Sequence, residues 1–196
     1  IALHETDNDK DGYIGIQGST MFIQTADAIP MRFATSDTER MRIASNGSIG
    51  MGTTPPTDTH TGWTQLFIGQ KGSVISENAT GVHGLDGTFV TDNMYVDSDT
   101  GAFAYIEANE SSAYRQEAGI HQFFTQASGS AGAAVTLSEK MRLGTSGRLG
   151  IGTDSASQLL HLKSTGDAAI RIEADSDNAN EDDNAYIEFS QDGDLV

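Results

Sequence analysis

The chain has 196 residues and carries 28 acidic against 11 basic side chains, a net charge of −17 that argues against nucleic acid or an anionic membrane surface as a partner. It holds no cysteine, which removes disulfides, thiol catalysis and cysteine-ligated metals. No stretch approaches the roughly 20 apolar residues of a membrane helix, so membrane insertion is not expected, and with 37% hydrophobic residues and 22 glycines the core per residue is thin.

In chain order, short strands are expected at residues 1–5 and 12–16 around an acidic stretch. The opening Ile1-Ala2-Leu3-His4 is neither an initiator methionine nor a signal peptide, and the chain reads as a piece of something longer. Met41 and Ile43, then Ile49 and Met51, alternate with Arg42, Ala44, Gly50 and Gly52 around Ser45-Asn46-Gly47, the pattern of two strands joined by a turn that needs a positive φ. Glycines alternating with apolar residues leave one strand face bare, and another backbone is expected to approach there. Strands follow at 65–68, 73–75, 87–90, 94–96 and 101–106, bounded by Gly, Asn, Asp and Ser. Residues 107–117 lack an apolar stripe of helical period and read as a loop or a strand pair. Residues 119–125, 141–143, 149–151, 160–162 and 185–189 complete the strands. The fold class is all-β.

A repeat organises the chain. Residues 39–53 align without gaps with residues 139–153, and the identical positions are Glu39, Met41, Arg42, Gly47, Gly50, Gly52 and Thr53. A looser repeat links residues 1–16 to residues 170–189 through Tyr13-Ile14 and Tyr186-Ile187, with Tyr105-Ile106 at the corresponding place in between. This divides the chain into residues 1–61, a partial first module; residues 62–158, a second module with a β insertion; and residues 159–196, the start of a third.

The segment Thr38-Glu39-Arg40-Met41-Arg42-Ile43, the Asn46-Gly47 turn and Ile49-Gly50-Met51-Gly52-Thr53-Thr54-Pro55 resemble a motif common in tail-fibre proteins of bacteriophages. The second box, from Glu139 to Thr153, keeps the centre of that motif but is followed by Asp154-Ser155-Ala156 in place of the prolines. Leu159-Leu160-His161-Leu162 resembles the strand that usually follows it. The resemblance implies an elongated, intertwined homotrimeric fibre of short-strand modules with small β-sandwich-like insertions, located in the virion. It further implies a structural segment that joins the particle to a tip contacting the host, with other tail or baseplate proteins and host surface glycans as partners. Two alternatives stand beside it: a polysaccharide-degrading tailspike-like enzyme, and a cellular surface adhesin or filament subunit.

No catalytic, cofactor-binding or metal-binding residue is assigned, and no catalytic role is expected. Asp7, Asp9, Asp11 and Gly12 reproduce the first half of a calcium loop, but position 12 of that loop is Gly18 rather than a bidentate Glu, so a solvated turn is the favoured reading. The acidic run at 175–184 reads as solvated loop. His4, His60, His83, His121 and His161 lack the spacing of a zinc site. Glu107 and Glu117 are one of many acid pairs that could sit at a glycosidase separation, and nothing singles them out. Of the aromatic residues in the central insertion most are assigned to a core, with Trp63 as the ring expected to be exposed for stacking on sugars. Arg42 and Arg142 are expected to pair with acids such as Glu39 and Glu139.

Overall fold

A computed structural model describes residues 2–5, 10–25, 28–60, 62–77, 86–174, 184–191 and 194–195. Contacts divide the chain into two units, residues 1–162 and 163–196. The secondary structure of the described residues is all β. In the first unit β1 (Ala2–Glu5), β2 (Lys10–Gln17) and β3 (Thr20–Thr25) form a three-stranded antiparallel sheet.

A second sheet of eleven strands takes in β4 (Met31–Thr35), β5 (Thr38–Ile43), β6 (Ile49–Met51), β7 (Trp63–Ile68), β8 (Gly72–Glu77) and β9 (Thr88–Asp92). A hairpin of β10 (Met94–Val96) and β11 (Phe103–Tyr105) then leaves the sheet. The chain returns to the sheet through β12 (Asn109–Glu117), β13 (Ile120–Gly129), β14 (Glu139–Leu143), β15 (Leu149–Ile151) and β16 (Leu160–Leu162). Every neighbour pair in this sheet is antiparallel except β6 with β7 and β15 with β16. Residues 107–117, expected as a loop or a strand pair, supply the single strand β12, which sits between β9 and β13.

The repeated box folds identically in both copies. Arg42 faces Gly50 across the β5–β6 ladder as Arg142 faces Gly150 across β14–β15. The turns close with Gly47 at φ +86° and Gly147 at φ +73°, where a Cβ would clash with its own backbone. The register shows that the repeating unit is longer than the box. β4 lies on β5 with Phe33 opposite Met41, and β13 lies on β14 with Phe123 opposite Met141. On the other side Gly50 faces Phe67 of β7 in parallel, as Gly150 faces His161 of β16. Four strands recur where sequence identity marks two.

Backbone does approach the bare face at Gly50 and Gly150, and it comes from the same chain. A Cβ on Gly50 would lie 2.3 Å from the Thr53 carbonyl oxygen and 2.7 Å from Pro55 Cδ, and one on Gly150 would lie 2.4 Å from the Thr153 carbonyl oxygen. The backbone that approaches is therefore the box's own return segment. Gly52 and Gly152 instead make the turn into that segment, at φ +68° and +73°, each donating its N–H to the carbonyl of Arg40 or Lys140.

The core lies between one face of the large sheet and the β10–β11 hairpin. Ile75, Phe89, Met94, Val96 and Phe103 are almost wholly buried there, with Phe89 and Phe103 edge to face at 4.9 Å. Polar clamps hold the hairpin down. Gln65 accepts the N–H of Val96 and donates to its carbonyl, while the Asn93 side chain accepts the N–H of Glu107 and donates to the carbonyls of Glu107 and Glu110. Trp63, expected to be exposed, is only 4% exposed; it begins β7 on the inward face and its ring packs 6.0 Å from Phe103.

In the second unit the expected strand at residues 185–189 does not form. Ser190–Gln191 (β17) and Asp194–Leu195 (β18) pair instead, and Tyr186, Ile187 and Phe189 are exposed. Alternation alone does not make a strand without a ladder partner. In the first copy β2 has β1 and β3 on its two sides, whereas residues 184–189 have neither.

Candidate functional site

Strand alternation gives the large sheet two unlike faces. Phe67, Ile75, Phe89 and Phe124 point into the core. Their neighbours point the other way, and the ladder registers bring one from each strand into line. The line runs from Met31 through Ile43, Ile49 and Leu66 to Val74 and Val90. It continues from Val90 through Tyr114, Phe123, Met141 and Ile151 to Leu162. All eleven side chains are apolar or aromatic. Flanking side chains on the same face add Phe33, Met51 and Ile68 at one end and Leu143, Leu149 and Leu160 at the other.

Within the first unit every member of the line is at least partly exposed. Val90 is 52% exposed, Ile68 52%, Phe123 40% and Ile151 40%. Scattered apolar residues on a surface are ordinary, but a contiguous uncharged band across a whole sheet marks an interaction surface. Among the described residues the one carboxylate flanking the line on this face is Asp92, in a chain with 28 acids. Toward β14 the band sinks into an apolar depression of about 360 Å³ lined by Tyr114, His121, Phe123, Met141, Leu143 and Leu149. There the Tyr114 hydroxyl and His121 Nδ1 share a hydrogen bond, their rings stack, and Phe123 lies 5.0 Å from Tyr114.

The duplicated arginines pair as expected. Arg42 donates from Nε and Nη2 to the two carboxylate oxygens of Glu39 at 2.7 and 2.8 Å, and Arg142 does the same with Glu139 at 2.8 and 2.7 Å. Residues three apart on a regular strand point to opposite faces. A bulge resolves this: Phe33 pairs with Met41 and Ala34 with Glu39, so Arg40 is the extra residue, and Lys140 plays the same part in the second copy. The hydrogen bonds from Arg42 hold the Glu39 carboxyl below its ordinary value, and the same bonds, accepted by Glu39, raise the Arg42 guanidinium. Behind each box is a cleft of about 200 Å³, one bordered by Arg42, Pro55 and Asn46 and the other, about 220 Å³, by Arg142, Thr153 and Ser146. The guanidinium of each is already engaged bidentately, so the clefts offer an anion little.

The other candidates are dispersed. Glu107 pairs with Lys71 at 2.7 Å and Glu117 with Arg115 at 2.7 Å, so each acid of that pair is held by a cation of its own. Tyr95, Phe103 and Tyr105 are core, as expected for most of the aromatics, and Tyr114 and Phe123 lie on the uncovered face. The Tyr95 hydroxyl donates to Asp58 at 2.9 Å, and burial, reinforced by that carboxylate, pushes its phenol well above its ordinary value. His60 Nδ1 accepts the N–H of Gly62 and His161 Nδ1 that of Ser157. Asp7 and Asp9, the acidic run at 175–183 and His83 lie outside the described residues, and of Asp11 only its backbone in β2, opposite His4, is described. Among the described residues no three His, Asp or Glu side chains converge as metal ligands.

The uncovered face was not legible as a site in the sequence because each strand contributes only one or two outward apolar residues. Only the register between strands assembles them. No protein-family model and no curated protein matches the chain.

Proposed function

We propose that the chain is a structural segment of a bacteriophage tail fibre, assembled from identical copies as a homotrimer and carrying no catalytic role. In this reading it belongs to the virion, connects other tail or baseplate proteins to a host-contacting tip, and contributes to attachment at host surface glycans. The resemblance of the duplicated box supplies the family. The observation that carries the reading is the uncovered apolar band. A chain this acidic and this poor in apolar residues leaves a band of them in water across eleven strands, which suits burial against further chains.

The test has two parts. The solution mass of residues 1–196 by light scattering should be three times 20.8 kDa. Antibodies raised against this segment should decorate tail fibres, not heads, in electron micrographs of the phage whose genome encodes it. A stable monomer that decorates nothing on a particle would end the proposal.

A further inference from the structure

Resting on the fibre reading, we infer that the copies meet through the uncovered face of the large sheet. Their shared axis follows the hydrogen-bonding direction, so that strands run across the axis and all copies point the same way along it.

Charge selects the face. Each copy carries −17, and copies brought together at most surfaces would oppose carboxylates. The line from Met31 to Leu162 contains no charged side chain, so it is where identical copies approach with least repulsion. The occupant it suits is therefore another such face.

Size agrees. Ten strand spacings and three rows of side chains give a band of about 48 Å by 14 Å, or roughly 700 Å² per copy. Three such bands meeting at one axis bury about 2,100 Å² in all, comparable with a standard protein interface.

Direction follows from the ladder. The line advances one residue per strand, perpendicular to the strands, so its length lies along the hydrogen-bonding direction. Sheets twist by about 20° per strand, which accumulates to roughly 200° over ten steps. Flat faces laid against one another would part after a few strands. Copies wound about an axis beside the band stay in contact along it, and with all copies parallel each residue meets its own counterpart.

The absence of native cysteine makes this testable by cross-linking. Val90 is the sixth of the eleven line residues and Ile151 the tenth, so Val90→Cys meets itself in parallel or antiparallel assemblies, whereas Ile151→Cys meets itself only in a parallel one. Both should give multimers with a short bis-maleimide reagent. Ser98→Cys, exposed in the turn between β10 and β11, should not. Independently, Val90→Asp should reduce the mass to one chain while its circular dichroism stays β-rich.

Cross-linking at Val90 without Ile151 would overturn the parallel arrangement. A three-chain mass with neither position cross-linked, or with Val90→Asp still fully associated, would overturn this interface and leave the fibre reading standing. A parent chain that is monomeric at all concentrations would overturn this interface, and the fibre reading as well if antibodies to the segment decorate no particle.

Discussion

Gly50 and Gly150 are constrained by atoms of their own turn, which makes their substitution a folding defect. Gly50→Ala must displace the Thr53 carbonyl or Pro55, and Gly150→Ala the Thr153 carbonyl; each should cost about 1–3 kcal/mol by chemical denaturation. The two Glu–Arg pairs should differ. Gln122, 1% exposed, donates to Glu139 as well as accepting from Arg115, whereas the equivalent place opposite Arg42 is taken by Arg32. Glu139→Ala therefore orphans a buried amide and should cost about 1–3 kcal/mol more than Glu39→Ala by the same measurement. The acid limb has a definite sign. Hydrogen bonds from Arg42 depress Glu39 from 4.5, and those from Thr100 depress Asp97 from 3.8. A depressed carboxylate contributes stability that is present above its unfolded value and lost as pH falls through its folded one. The thermal midpoint should be flat from neutral pH down to about 5 and decline below the ordinary values of the two groups, and Glu39→Gln should make that decline shallower. The arginine–glutamate partnership was legible in the sequence from its duplication; the bulge that permits it was not, since Arg40 and Lys140 look like any alternating strand residue.

At the scale of elements, Asn93 is one of the polar clamps on the β10–β11 hairpin. Asn93 sits at φ +61°, fully buried, and its amide makes three hydrogen bonds to the backbone that follows β11. Asn93→Ala leaves those groups without that partner and should destabilise by about 3 kcal/mol, read as a shifted denaturation midpoint with an unchanged slope. Strands with Gly-bounded apolar cores, such as β7 to β11, were readable by local pattern. β3 and β4 were missed, β3 because Met21, Phe22 and Ile23 are consecutive apolar residues without alternation, and β4 because it follows directly on Pro30. Trp63 was misplaced because Thr61-Gly62 beside it signals a loop, whereas the strand begins at the ring itself and alternation turns it inward. Residues 185–189 show the opposite error, a good pattern without a partner.

At the scale of the molecule, the apolar line holds none of the chain's charged side chains. Association through the proposed interface would be opposed by repulsion between acidic copies, and salt screens that repulsion. Raising salt from about 0.02 to 0.5 M should therefore strengthen self-association in sedimentation velocity. Weakening would show that ion pairs hold the copies. The repeat was legible in one dimension, but that Phe123 stands where Phe33 stands, and His161 where Phe67 stands, is visible only through pairing.

The parallel step from β6 to β7, repeated from β15 to β16, makes the module an increment of length. In the sheet, β6 and β15 are seven strands apart, which corresponds to roughly 34 Å. Because the turn, the bulge and the parallel step all recur in the same register, copying the gene segment adds a whole number of strands and leaves the joints unaltered. The reach of such a sheet is then quantised: it grows by duplication in fixed strides, and a deletion of one repeat shortens it by a stride without a new junction having to be invented.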